Sequence, residues 1–299
     1  MARLPDMEAM AIFAKIVETR GITAAAGELG LSAPTVSKAL VRLEQRLGSR
    51  LLNRTSRRFA LTDAGHALAG RAARLLSDAE AAQDALLAQS AAPRGLVRLA
   101  APMSFGVSEV APVLADFLAQ YPAVSVDLHL SDALVDVIGE GFDIALRIGE
   151  LVDSSLVARR LAPVQSMLVA SPAYLDRRGR PGRPADLIDH DCFAYAYLRT
   201  RDAWHFANSV GERVTVRPSG RLRVNNGDAM LPVAIAGLGI AALPAFIARN
   251  AVADGRLERI LADWSMGQPS LSLLMPPNGP QPARVRVLAD FLVQRLSRT

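Results

Sequence analysis

The sequence predicts an N-terminal winged helix-turn-helix, a long connecting helix and an α/β body, and three observations carry that prediction. Two capped helices meet at a Gly-Leu-Ser turn within the first fifty residues. A proline-free run rich in alanine and leucine follows over 63–89. From residue 93 onward strand and helix signals alternate, the pattern of a largely parallel sheet covered by helices.

In the first module, Met10, Phe13, Ala14 and Val17 repeat at the spacing of a helix with one buried face, and Gly21 ends it. Thr23 is placed to cap a second helix over 24–29, and Gly30 supplies the left-handed position after it. Ser32 caps a third helix, with Pro34 in its first turn, where a missing N–H costs nothing. Its apolar stripe, Val36, Leu40, Leu43 and Leu47, runs to Gly48. The opposite face presents Pro34, Thr35, Ser37, Lys38 and Arg42, small near the N-terminus and basic further along. Such a helix end can approach base edges while its length bridges to phosphate. An ordinary amphipathic helix with a solvated polar face shows the same pattern. Over 50–62, Leu51, Leu52, Phe59 and Leu61 surround Asn53, Arg54, Arg57 and Arg58, a short hairpin whose basic tip can follow a DNA backbone or reach a minor groove.

Charge distribution agrees with that module meeting a polyanion. The net charge is +5; residues 1–62 hold ten Lys/Arg against five Asp/Glu, and the rest of the chain holds 24 of each. The run over 63–89 is about 40 Å long at ~1.5 Å per residue. Within it Leu68, Ala72, Leu75, Ala79, Ala82 and Leu86 recur at heptad spacing, which suits either a partner helix or the chain's own body. Residues 91–95 form the hinge into the body.

The body reads as a strand over 96–101, a helix over 104–121, a strand over 124–130, a short helix over 134–140 and a strand over 143–148. Near 161–166 the chain crosses to a second unit with a strand over 167–170, a polar loop over 177–183 and strands near 192–197 and 221–225. Residues 229–248 carry no charge, but Pro232, Gly237, Gly239 and Pro244 divide them into helix, strand and helix instead of a membrane span. The last helix, 282–298, returns to the first unit.

Open α/β sheets bind ligands at strand C-terminal ends. Pro102, Met103, Ser104 and Phe105 follow the first strand and begin a helix, so N–H groups and the Ser104 hydroxyl can face an anion. Arg147 ends the third strand and can grip a carboxylate in bidentate fashion. Asn225 and Asn226 end a later strand before another helix start, and Tyr197 adds a wall. Each has a structural alternative: Ser104 and Asn226 as caps, Arg147 in an ion pair with Asp132 or Asp143, Tyr197 as core.

Other classes lack support. Cys192 is the one cysteine, and His66, His129, His190 and His205 are far apart in the chain, so neither a disulfide framework nor a zinc cluster can be written, and no cofactor is expected. No Gly-x-Ser-x-Gly, phosphate-cradling Gly-x-x-x-x-Gly-Lys or His-Glu-x-x-His supports an enzyme. A coiled-coil architectural protein would leave the body idle. Arg3, Asp6 and Glu8 interrupt any signal sequence, so the expected location is cytoplasmic, away from membranes.

Taken together, Phe13, Thr23-Ala-Ala-Ala26, Leu31-Ser-Ala-Pro-Thr-Val-Ser-Lys38, Leu43-Glu44, Leu47-Gly48, Leu51-Leu-Asn-Arg-Thr55, Leu61-Thr62 and Ala64-Gly65 resemble the winged helix-turn-helix of LysR-type transcriptional regulators. The similarity continues through Ser104-Phe-Gly106, Leu130-Ser-Asp132, Glu140-Gly141-Phe-Asp143, Arg147-Ile-Gly149, Ser171-Pro-Ala-Tyr174 and Gly237-Leu-Gly239, covering essentially the whole chain. It implies a sequence-specific transcriptional regulator whose periplasmic-binding-protein-like body holds a small effector between two α/β lobes.

The domains implied are 1–62 for DNA binding, 63–92 for the linker helix and hinge, and 93–299 for the effector body. Lobe I takes 93–162 and 267–299, and lobe II takes 163–266. DNA contacts are expected from Thr23, Pro34, Thr35, Ser37, Lys38, Arg42, Arg54, Arg57 and Arg58. The partners implied are double-stranded promoter DNA, a small anionic metabolite, a second copy through 63–89 with a homotetramer beyond it, and RNA polymerase. Ala33 stands where relatives often have Gln, and Lys38 where they often have Arg. The first change removes an amide able to read adenine and the second removes bidentate geometry for guanine, which bears on the operator's sequence.

Overall fold

Caps set the N-terminal module. The computed structural model describes residues 4–53, 59–87, 92–149, 156–197, 203–277 and 281–297. Helices α1 (Met7–Thr19), α2 (Ile22–Leu29) and α3 (Ala33–Leu47) close around buried Phe13, Ile16, Ala25, Val36, Leu40 and Leu43. Asp6 caps α1, accepting from the Ala9 N–H at 3.1 Å, and Ser32 caps α3, accepting from the Thr35 N–H at 3.2 Å. Gly30 and Gly48 take the left-handed conformation at φ 64° and 66°, as the turns after α2 and α3 require.

Two details differ from expectation. Arg20, not Gly21, is the left-handed residue after α1 (φ 54°), its N–H returning to the carbonyls of Ile16 and Val17. Helix α2 then starts at once from extended Gly21 with no side-chain cap, so Thr23 lies exposed inside the first turn and caps nothing. The turn between α1 and α2 uses too few residues for the helix to wait for Thr23.

A wing follows α3. Leu52 bridges Leu61 in antiparallel fashion, and the Asn53 N–H donates to Ala60 while the Thr62 N–H donates to Leu51. The basic tip, with Arg54, Arg57 and Arg58, lies outside the described residues. The wing is tied to α3 by Glu44, a buried acid whose Oε1 accepts the Leu51 N–H at 2.8 Å. Thr62 caps the long helix α4 (Asp63–Leu87), its Oγ1 accepting from the Gly65 N–H at 3.0 Å.

Helix α4 does not present one uninterrupted seam to a partner. Ala72 is fully buried in the helix-turn-helix core, with Leu68, Ala69 and Leu76 packed beside it. Leu75 and Ala79 stay exposed; Ala82 and Leu86 lie outside the described side chains. The same helix also rests on its own body. A Cβ on Gly70 would run into the Gly139 carbonyl oxygen and come within 3.0 Å of the Gly141 nitrogen, and Glu80 pairs with the nearly buried Arg284 at 2.7 Å. The residue pattern suited both uses because each asks for small apolar side chains.

Lobe I opens with β1 (Gly95–Ala101), which feeds a helical run made of α5 (Met103–Phe105), a π turn over Gly106–Val110 and α6 (Ala111–Gln120). It continues with β2 (Val124–Leu130), β3 (Ile144–Gly149) and β4 (Val157–Pro163). Lobe II follows with β5 (Ser166–Ala170), α7 (Pro172–Arg178), β6 (Ala194–Tyr195), β7 (Trp204–Asn208), β8 (Arg213–Val216), β9 (Arg223–Val224), α8 (Met230–Ile235), β10 (Ala241–Pro244), α9 (Ala245–Ala253), β11 (Glu258–Ile260) and β12 (Trp264–Ser265). The chain returns to lobe I through β13 (Ser270–Met275) and α10 (Ala283–Leu296). Val97, Leu99, Phe117, Ile144, Leu273, Leu288 and Leu292 form the lobe I core, with α10 packed on the sheet. No helix among the described residues is long and apolar enough to cross a membrane.

The sheets are less parallel than expected. Lobe I has the order β2-β1-β3-β13-β4, parallel across β2-β1-β3 and antiparallel where β13 meets β3 and β4. In lobe II, β10-β5-β11 is antiparallel throughout. A strand coming back from the other lobe enters from the opposite end of the sheet, so β13 runs against β3. The helix expected over 134–140 is instead a set of turns. Asp136 Oδ1 accepts the Gly139 N–H at 2.9 Å, and Gly141 takes φ 73°, so side chain and glycine pull the backbone out of helical register.

The Glu44 bond gives a stability prediction. Glu44→Ala strands the buried Leu51 N–H and should destabilise the N-terminal module by about 1–3 kcal/mol, whereas Glu44→Gln keeps an acceptor and should cost less. Denaturant titration monitored by circular dichroism measures both; equal losses would mean that the Leu51 bond is not the source.

Candidate functional site

Helix α3 buries Val36, Ala39, Leu40, Leu43 and Glu44, and this fixes which residues face outward. Pro34, Thr35 and Lys38 are uncovered to differing degrees at the helix start, and Ser37 lies beside them. The Ser32 and Thr35 hydroxyls bond each other at 2.8 Å. Arg42 lies on the same helix but is engaged: its Nε donates to Asp6 at 2.6 Å and its Nη2 to Glu8 at 3.1 Å. Asp6 is held below the usual carboxylate range, first by the Arg42 hydrogen bond and then by the Ala9 N–H. Arg42 therefore fastens α3 to α1, a role that separation in sequence concealed. Thr23 sits exposed on α2, across the turn from α3.

The second cluster lies where the lobes meet. Asn226, placed by β9, accepts the Asp228 N–H on Oδ1 at 3.0 Å and so caps a 3-10 turn, as its structural alternative held. Its Nδ2 crosses the crevice, donating to Ser104 Oγ at 3.2 Å and Asp132 Oδ2 at 2.9 Å. Asp132 Oδ1 accepts the Met103 N–H at 2.8 Å. Two donors thus converge on one internal carboxylate, and the Tyr195 phenol of β6 stands close enough to feel its charge. The Tyr195 phenol is pushed above its ordinary value by burial first, and then by the Asp132 charge.

The remaining expected residues divide. Pro102 is the half-buried residue before α5, and Asn225 is exposed beside Asn226. Tyr197 is exposed with its ring edge-on to Tyr195 at 5.8 Å between centroids, so it is not core. Phe105 is core instead of lining: it is 2% exposed and packs edge-on against Phe246 of lobe II at 5.3 Å. Arg147 is half-buried and paired in register with Ser272 of β13. Strand alternation puts it on the sheet face of Ala145, opposite the face where Ile144 and Leu146 meet the helices. Beyond these, Arg249 of α9 donates to Glu109 at 2.6 Å across the lobes.

Sequence reasoning did not single out Tyr195 and gave Asp132 only a side role. Tyr195 and Tyr197 stand two residues apart in the strand expected near 192–197, which was the available signal, although β6 ends at Tyr195 and Tyr197 lies in the following turn. A groove of about 470 Å³ between Gln120, Phe291, Gln294 and Arg295 lies at the far end of α6 from this crevice. No cluster of three or more metal-ligating side chains occurs among the described residues. Cys192 is 2% exposed and burial pushes its thiol up to about 12, which removes it as a nucleophile at neutral pH.

Comparison with known proteins agrees across the chain. Residues 7–66 match the model for the bacterial regulatory helix-turn-helix protein of the lysR family, and residues 90–297 match the LysR substrate binding domain. An HTH-type transcriptional regulator of Xanthomonas campestris pv. campestris is 37% identical over 295 residues, 98% of this chain and 86% of the relative. PtxR of Pseudomonas aeruginosa, an HTH-type transcriptional regulator, is 36% identical over 96% of this chain and 91% of its own. Among solved structures, full-length CrgA of Neisseria meningitidis, a LysR-type transcriptional regulator, superposes with a TM-score of 0.62 at 31% identity, covering 98% of this chain and 99% of that one. The full-length Vibrio cholerae virulence activator AphB also gives a TM-score of 0.62, at 28% identity over 98% of this chain and 100% of that one.

The convergence on Asp132 is measurable by titration. Asp132→Asn removes the charge that helps hold the Tyr195 phenol neutral, so one tyrosine should ionise at lower pH than in the unaltered chain. Ultraviolet difference absorbance reports phenolate directly. A superimposable titration curve would separate Tyr195 from Asp132.

Proposed function

Because the chain belongs to the LysR family of bacterial transcriptional regulators, with a DNA-binding helix-turn-helix and an effector-binding domain, we propose that α3 enters the major groove of promoter DNA with Thr35 and Lys38 at base edges or adjoining phosphates. The observation that carries this is the open start of α3, whose outer residues are left uncovered while the apolar face is sealed in the module. Arg54, Arg57 and Arg58 of the wing tip contact the backbone or the minor groove. Thr23 and Ser37 add contacts beside the helix start.

The effector is a small anionic metabolite held in the crevice by Met103, Ser104 and Asn226, with Tyr197 and Asn225 at the rim and Arg147 as a further charge. What supports an anion is that the crevice donors already hold a carboxylate, that of Asp132. The ligand takes over those donors. No catalytic step is assigned, and the proposed working state is a cytoplasmic homodimer through 63–89. A homotetramer forms beyond it, and RNA polymerase is a further partner. Two recognition helices related by a twofold axis imply a pseudo-palindromic site.

Fragments of genomic DNA selected by the purified chain supply the operator for the test. Lys38→Ala should lose about 1–3 kcal/mol of operator affinity and flatten the salt dependence by about one counterion. Arg42→Ala should change that slope less, because Asp6 and Glu8 already neutralise it. Operator binding by Lys38→Ala equal to that of the unaltered chain would overturn the α3 assignment. Leu75→Glu places charge on the exposed part of α4 and should lower the sedimenting mass and operator affinity together; unchanged mass would reject the 63–89 dimer.

A further inference from the structure

The interlobe crevice and the long helix are joined by a single stretch of chain. Asp132, at the C-terminal end of β2, is held in the crevice by the Met103 N–H of its own lobe and by Asn226 of lobe II. Residues 135–142 follow after only Ala133 and Leu134, both exposed. These turns are closed on themselves. The Asp136 N–H donates to Glu140 Oε1 at 2.9 Å, the Glu140 N–H to the Asp136 carbonyl at 2.9 Å, and the Phe142 N–H to the Val137 carbonyl at 2.9 Å. A segment bonded in this way moves as a unit, so a displacement applied at one end is delivered to the other.

The far end of that unit is the seat of α4. A Cβ on Gly141 would come within 2.8 Å of the Gly70 Cα, and a Cβ on Gly70 would strike the Gly139 carbonyl, so the two backbones meet without slack. Arg98 holds the unit on the sheet, donating to the carbonyls of Glu140 at 2.8 Å and Gly141 at 3.3 Å. Two residues beyond Gly70 on α4, Ala72 is fully buried in the helix-turn-helix core. Any tilt imposed at Gly70 is therefore carried to α1, α2 and α3.

We propose that segment 132–143 is the transmission element of this protein: release of Asp132 from Asn226 shifts the turns under Gly70 and re-aims α4 with its DNA-binding module. This rests on the crevice being the effector site, since the effector is what displaces Asp132. The coupling itself needs no second protomer.

Hydrogen–deuterium exchange of the full chain tests it with variants outside the segment. Asn226→Ala removes the lobe II hold on Asp132 and should speed exchange severalfold in peptides covering 136–142 and 66–76, as well as at 103–105. Tyr195→Phe, which removes the lobe II phenol set against Asp132, should give the same map more weakly and serves if Asn226→Ala folds poorly. Adding Gly70→Ala, which forces the seat apart, should abolish the response at 66–76 while leaving that at 136–142. Changes confined to 103–105 and 224–230 in both single variants would overturn the proposal. The crevice reading fails separately, if a small molecule that alters operator binding leaves exchange at 103–105 and 226–230 untouched.

Discussion

Helix α4 has to satisfy two cores at once, and the rest of the molecule is arranged around that requirement. Leu68, Ala72 and Leu76 complete the helix-turn-helix, while Gly70, between them in sequence, brings the backbone against the turns of lobe I. Only a residue without a side chain permits that approach. Further along, Arg284 is nearly buried and directs one nitrogen to the Leu96 carbonyl and another to Glu80, so the helix is fixed a second time by charge. A buried guanidinium with both partners in place is a positional device more than a source of net stability, because desolvation offsets most of the Coulombic gain.

Much of this was legible in the sequence wherever the determinant was local. Ser32, Pro34, Gly30 and Gly48 act at positions set by their own backbone chemistry, and each occupies the place its residue type dictates. The strands over β1, β2 and β3 announced themselves by their apolar runs. Non-local determinants were hidden. Nothing local to Arg42 announced its ion pairs with Asp6 and Glu8, and the apolar spacing of α4 could not say which surface would cover it. A short helix was expected over 134–140, but residues 135–142 carry β-branched side chains and two glycines, and Asp136 and Gly141 turn the backbone out of helical register. The order of the strands in space, and with it the antiparallel β13, depends on the chain crossing twice between lobes, which no local pattern records.

The crevice shows the same division. Strand ends pointed to Ser104 and Asn226, and the fold brings them within 3.2 Å of each other. Phe105 was placed correctly along the chain, but its side chain turns inward to Phe246. Asp132 is the residue whose importance only three dimensions reveal. Its carboxylate accepts from a helix start in one lobe and from an amide in the other, so it ties the two lobes together. A chain that sets its own carboxylate between the lobes needs no ligand to be closed, and under the proposed effector site an anion enters by exchange of partners instead of a simple filling of space. In population terms, such an exchange biases an equilibrium only by the difference in affinity between the two arrangements.

The helix-turn-helix and lobe I therefore share α4 as a common packing element within a protomer. Differential scanning calorimetry of the full chain tests this most directly. If α4 is a shared core element, the helix-turn-helix and lobe I unfold in a single transition, and Gly70→Ala lowers its midpoint as a whole. A separate transition of the N-terminal module, at a midpoint that Gly70→Ala leaves unchanged, would contradict the account.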